Sequence, residues 1–217
     1  MTDDHQESES HTEHGNRQET PAHPRTAADW DELYDSADRL WTTDVNPAVV
    51  AELGDLAPGT AFDLGCGEGA DVRWLADRGW TVVGADISRV ALERAAARDS
   101  REAITWTSFD VTTDDFGRRY DLVTASYFHI AADDEATLHK LAEAVAPGGT
   151  LLVVMHDPEG LRAHGRDPGE FLWPDDMVRI LGDGWTVVTH ETRERGIPAG
   201  GGHHVNDVVL RMVREPA

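Results

Sequence analysis

Cysteine occurs once in the 217 residues, at Cys66, so no disulfide can close within the chain and there is no Cys-Cys metal pair. That usage suits a reducing compartment, and the cytoplasm is the expected location. Lysine also occurs once, at Lys140, and every other basic side chain is arginine. This reads as a compositional habit of the source organism rather than a functional device. Positive charge is scarce altogether: 41 Asp and Glu face 19 Lys and Arg, for a formal net charge of −22. The balance argues against a groove that tracks nucleic-acid phosphates and against docking on an anionic membrane. It also suits a salt-rich cytoplasm. No apolar run is long enough to span a bilayer, and the N-terminus has no signal-peptide apolar core.

What is present is a chain with 40% hydrophobic residues, enough for one well-buried core. Residues 1–26 are polar and acidic, with His5, His11, His14 and His23 at irregular spacing. Such a segment buries too little surface to offset its ordering entropy, so a disordered tail is expected there and a single domain over 27–217. Trp30, Leu33, Tyr34, Ala37 and Trp41 then recur at helical spacing. A helix packed on the domain accounts for most of them. Trp41, beyond the helix end, is a candidate for lining a ligand cleft. Asn46-Pro47 opens a helix over 47–54, where proline is tolerated in the first turn.

The chain is organised around residues 60–87. The apolar run from Ala61 to Leu64 ends in three alternate glycines, Gly65, Gly67 and Gly69. An amphipathic segment follows with Val72, Leu75 and Ala76 on one face, and a second apolar run, from Thr81 to Ala85, stops at Asp86. Strand, glycine turn, helix and strand with a terminal acid make half of a nucleotide-binding α/β unit. Glycine permits positive φ and close approach of a ligand to the backbone. A carboxylate at the end of the second strand can accept from both ribose hydroxyls.

Further elements alternate in the same manner. Ser88 caps a helix over 89–99. Strands are expected at 103–109, 120–127 and 150–155, with a helix over 133–146 and a Pro147-Gly148-Gly149 turn. Continuous apolar strands between helices indicate a parallel sheet covered on both faces. Residues 156–172 read as a long irregular insertion, followed by a helix at 174–182. Two strands, 184–193 and 204–213, close the chain as a hairpin with a glycine-rich loop.

From about Trp30 onward the chain resembles the class I S-adenosylmethionine-dependent methyltransferases. The resemblance rests on AspLeuGlyCysGlyGluGly (63–69), GlyAlaAspIleSer (84–88), SerPheAspVal (108–111), TyrAspLeuVal (120–123) and AlaProGlyGlyThrLeuLeuVal (146–153). TrpAspGluLeuTyr (30–34) and TyrPheHisIle (127–130) add a looser similarity to the tellurite-resistance and thiopurine type. The resemblance implies a Rossmann-like, doubly wound α/β fold: a mostly parallel seven-stranded sheet with an antiparallel last strand. It implies S-adenosyl-L-methionine as cofactor and a small-molecule acceptor. Gly65, Cys66, Gly67 and Gly69 would then touch the methionine part, with Asp63 beneath its amino group. Asp86 would take the ribose, Ile87 and Val111 the faces of the adenine, and Asp110 its amino group. Tyr127 and Phe128 would border the methyl group.

A nicotinamide-dependent oxidoreductase is the alternative, and a non-catalytic cofactor-binding protein a third reading. The spacing G-x-G-x-G departs from the dinucleotide pattern G-x-G-x-x-G. Glu68 within the turn would repel a pyrophosphate and tolerate a cation. His129, just past the fourth strand, is the first candidate for a general base, and His156 with Asp157 the second. His203 and His204 would border the acceptor. No ligand spacing supports a metal site.

Overall fold

The computed structural model describes residues 26–38, 41, 43–163, 165–195 and 206–216. Residues 1–25, with His5, His11, His14 and His23, lie outside the described residues, as do His203 and His204. Helix α1 (Ala27–Asp35) begins at a capping box in which Thr26 and Asp29 exchange backbone and side-chain hydrogen bonds. Helix α2 (Pro47–Leu53) is capped by Asn46, whose Oδ1 accepts from Ala48 N at 2.8 Å. The chain then alternates: β1 (Thr60–Leu64), α3 (Ala70–Asp77), β2 (Thr81–Asp86), α4 (Arg89–Arg98), β3 (Ile104–Ser108), β4 (Tyr120–Ser126), α5 (Glu135–Ala144) and β5 (Val145–His156). Ser88 caps α4 as expected, accepting from Ala91 N at 3.1 Å. After β5 come α6 (Pro158–Ala163), a 3₁₀ turn (Pro168–Glu170), α7 (Pro174–Leu181), β6 (Trp185–Glu194) and β7 (Asn206–Arg214).

The seven strands form one sheet in the order β3-β2-β1-β4-β5-β7-β6. The first five run parallel, and β7 is antiparallel to both β5 and β6. Two features depart from the sequence-based expectation. The Pro147–Gly149 turn is absorbed into β5, where the ladder with β4 is irregular between Tyr120 and Leu122. The segment 156–172, expected to be irregular, contains α6 and the 3₁₀ turn.

Side-chain alternation along each strand sends residues to two cores, one on each face of the sheet. Phe62, Leu64, Val123, Val153 and Leu210 pack with Leu138 and Leu141 of α5 and Met177 of α7. Ala61, Leu122, Leu152 and Val209 pack with Val49 and Leu53 of α2 and Val72 and Leu75 of α3. A fully buried Leu or Val contributes roughly 1.5–3 kcal/mol. Trp106 of β3 lies opposite Gly84 in the ladder. A Cβ on Gly84 would stand 2.6 Å from its Cζ3, and one on Gly69 would overlap the same ring.

Candidate functional site

Strand order reverses between β1 and β4, and open α/β sheets take ligands in the crevice at the carboxyl ends of such strands. The glycine turn lies there. Gly65, Gly67 and Gly69 have φ of 70°, 53° and 79°, a region that L side chains enter at a cost. The N–H groups of Gly65 and Cys66 donate to the Ala85 carbonyl at 2.8 and 3.0 Å, which ties the turn to the end of β2.

Asp86 is buried, and its two oxygens accept from Gly67 N and Ser88 N, both at 2.8 Å. Asp63 follows the same side of β1 as Ala61 and accepts from Thr124 Oγ1 of β4 at 2.6 Å. Asp71, in the first turn of α3, accepts from Asn46 N at 2.9 Å. Burial raises all three carboxyls above the usual range; the Asp71 charge pushes Asp63 further up. Among the described residues none of the three forms an ion pair. Glu68 behaves differently: its side chain turns to α4, 3.2 Å from Arg98 Nη1 and 3.6 Å from Arg94 Nη1. The Glu68 charge is thus met within the protein, which weakens it as the acid of the turn that would repel a pyrophosphate and tolerate a cation.

Helix α1 lies across the turn. The Tyr34 hydroxyl stands 2.8 Å from where a Cβ of Gly67 would be, and it accepts from Trp41 Nε1 at 3.1 Å. Trp41 is 52% exposed and lies outside the core, with its ring edge 3.9 Å from the Cβ position of Gly67. Asp31 fastens α1 to α4 by accepting from Ser88 Oγ at 2.6 Å. Tyr34, read from spacing as a packing residue, is therefore part of the site. Burial and the Asp86 charge push the Cys66 thiol well up, so it stays protonated and packs instead of reacting.

On the β2–β3 side, Ile87 is half-buried, while Val111 is 6% exposed and belongs to the core with Phe109. Asp110 is half-buried, and its Oδ1 accepts from Thr112 N at 2.9 Å and Thr112 Oγ1 at 2.6 Å, which closes the turn after β3.

The other side of the crevice is built from strand ends far apart in sequence. Tyr127, at the end of β4, has φ of 56°, alone among the described non-glycine residues. Its hydroxyl donates to Asp207 Oδ1 at 2.9 Å and accepts from Asn46 Nδ2 at 3.0 Å. Its ring stacks on His156 with centroids 4.3 Å apart, and the Arg195 guanidinium lies 4.7 Å from its centroid. Arg195 Nη2 donates to Asp207 Oδ1 at 2.8 Å, and Asp207 is 1% exposed. Burial pushes the Tyr127 hydroxyl well up, helped by the Asp207 charge. Left-handed backbone is uncommon for a tyrosine, and these partners hold it there.

Arg195 Nη2 is 3.3 Å from His156 Nδ1. A guanidinium only donates, so this contact suits the His156 tautomer with the lone pair on Nδ1 and the proton on Nε2. His129 is half-buried, 5.1 Å from the Phe171 ring and 6.1 Å from His156. Phe128 reaches within 3.5 Å of the Cβ position of Gly65, and Asp157 caps α6 by accepting from Gly160 N at 2.7 Å. Among the described residues no three His, Cys, Asp or Glu are grouped to hold a metal, and no helix is long and apolar enough to cross a membrane.

Glycines that leave the backbone bare, beside three carboxyls that form no ion pair among the described residues, fit a ligand with a positive amino acid end and a nucleoside. Comparison with known proteins agrees. Residues 61–149 match the family model described as a methyltransferase domain. The chain is similar to the 2-heptyl-1-hydroxyquinolin-4(1H)-one methyltransferase of Mycobacteroides abscessus, 29% identical over 136 residues, 59% of this chain and 60% of that protein. It is also similar to the probable thiol methyltransferase 2 of Arabidopsis thaliana, 28% identical over 58% of this chain and 60% of that one. The match thus spans under two thirds of either relative. In fold it is similar to the N-methyltransferase NodS of Bradyrhizobium japonicum in complex with S-adenosyl-L-homocysteine, at TM-score 0.69 and 19% identity over 88% of this chain and 99% of NodS.

Proposed function

This chain belongs to the class I S-adenosylmethionine-dependent methyltransferases, and from that premise we propose that it methylates a small-molecule acceptor. The observation that carries the reading is the set of Asp63, Asp71 and Asp86, drawn around the glycine turn at the switch point with no ion pair among the described residues. S-adenosylmethionine, when bound, supplies a methyl group on a sulfonium as the electrophile.

In this reading Asp63 and Asp71 hold the cofactor's ammonium end over Gly65, Cys66, Gly67 and Gly69. Asp86 exchanges an amide partner for the ribose hydroxyls, Ile87 lies on the adenine and Asp110 accepts from its amino group. Val111 acts from the core beneath that turn. Trp41 and Tyr34 exclude water above the turn. Tyr127 and Phe128 border the methyl group. His129 is the candidate base, because His156 presents Nε2–H and so offers a donor. A soft nucleophile such as a thiolate needs no base.

A small acceptor is supported by the short-reach ring of Tyr127, Phe128, His129, His156 and Phe171, and by the quinolone and thiol named for the two relatives. The charge of −22 speaks against nucleic acid as acceptor. The two cores on one sheet support residues 27–217 as a single domain preceded by a polar tail, and the lone cysteine supports a cytoplasmic protein. The test is calorimetry with S-adenosylhomocysteine and with NAD, followed by a panel of thiols, phenols and amines with labelled S-adenosylmethionine. Binding of the first ligand and label transfer to a small acceptor are expected. Binding of NAD alone would overturn the assignment, and cofactor binding without any transfer would favour a non-catalytic role.

A further inference from the structure

Lys140, the only lysine, lies on α5 and reaches across to the turn after β3. Its Nζ donates to the carbonyls of Val111 at 2.9 Å, Thr112 at 3.0 Å and Asp114 at 3.5 Å. An ammonium has three donors, and all three converge on one five-residue turn. The same turn is closed from within by Asp110, whose Oδ1 accepts from Thr112 and whose N–H donates to Asp114 Oδ2 at 2.9 Å. Below it, Val111 and Phe109 are anchored in the core. The backbone of 110–114 is thus set from three directions, and among the described residues Lys140 does so with a charged side chain from another element.

We propose that Lys140 is a positioning residue for the adenine end of the cofactor. It fixes the carbonyls of 111, 112 and 114, and thereby the direction in which the Asp110 carboxylate faces the crevice. The inference rests on the reading that Asp110 accepts from the adenine amino group. A compact ammonium can meet three carbonyls around a point, whereas a planar guanidinium spreads its donors. This gives the one lysine of an arginine-rich chain a role that composition alone does not suggest.

The test titrates wild type, Lys140→Met and Lys140→Arg with S-adenosylhomocysteine and S-inosylhomocysteine, which carries an oxo group in place of the 6-amino group. Thermal melts of each protein run alongside. Methionine keeps an apolar stem in place of the lysine chain. Wild type is expected to prefer the adenosyl ligand by about tenfold, the scale of one charged hydrogen bond. Lys140→Met should lose most of that preference and Lys140→Arg part of it. The ratio of two affinities does not move with mere loss of stability. If both variants keep the wild-type ratio, the positioning role is overturned while the cofactor assignment stands. If wild type binds S-adenosylhomocysteine without preference, the adenine contact and this proposal fall together. If wild type does not bind it at all, the cofactor reading itself has failed and the proposal with it.

Discussion

On the β1–β2 side of the crevice, Asp63 is 2% exposed and meets only a hydroxyl; on the β4–β7 side, Asp207 is 1% exposed and holds a guanidinium. Burying a carboxylate is costly in either place. In the second case the chain itself supplies the countercharge, through Arg195 at the end of the final hairpin. In the first it supplies neutral donors and leaves the countercharge to a ligand. The difference separates a carboxylate that holds the architecture together from carboxylates kept ready for binding.

The largest effect should come from breaking the closed side. Asp207→Ala leaves Arg195 without its carboxylate and removes the acceptor of Tyr127, and loss of one member of a buried pair costs about 3–5 kcal/mol. Urea unfolding should show this, with affinity for S-adenosylhomocysteine changed by less than about threefold if the two sides are independent. A stable variant with lost cofactor binding would reverse the comparison.

The open side should respond in affinity. Asp86→Ala is expected to weaken S-adenosylhomocysteine binding about ten- to a hundredfold, since a hydrogen bond to a charged acceptor contributes roughly 1.5–3 kcal/mol. Calorimetry measures this, and unchanged affinity would remove Asp86 from the ribose.

The smallest effect follows from the raised carboxyls. Asp63, Asp71 and Asp86 stay protonated above the ordinary carboxylate value of about 3.9, so the ligand-free fold binds protons that the unfolded chain has released. Their contribution to stability is present below that value and is lost as pH rises through the raised ones. Cation binding needs the charged form and runs the opposite way. Affinity for S-adenosylhomocysteine should therefore fall as pH drops through the raised values towards the ordinary one, while these groups add stability to the ligand-free protein. Parallel titrations and melts over that range decide it; a flat affinity would mean that Asp63 and Asp71 do not face the ligand's charge.

The two sides were not equally legible in the sequence. Gly65 to Gly69 and Asp86 sit within one strand-turn-helix-strand stretch, where spacing alone announces the chemistry. Apolar runs mark β1, β2 and the end of β5, whereas β3 (ITWTS) and β6 (WTVVTHETRE) carry no continuous one. Asn46, Asp207 and Arg195 carried no such signal, because their contacts are made in three dimensions: Asn46 and Asp207 reach Tyr127 across 81 and 80 residues. Asp207 reads locally as a polar residue near the start of an apolar strand. Glu68 was visible but its direction was not, since Arg94 and Arg98 approach it only once α4 packs beside the turn. Helix α6 was hidden because Pro158, a breaker inside a helix, is well tolerated at its first position.

The slot in which Trp106 lies across Gly69 and Gly84 has a bearing on how such a chain can diverge. An alanine at 84 is blocked while the indole is present, and shrinking residue 106 first would open a void that costs stability until it is refilled. The order of substitution therefore matters, and positions 84 and 106 are expected to drift as a pair. Part of what a glycine pattern preserves at position 69 is then room for a neighbour's ring, a constraint that would persist in a descendant that had given up its ligand.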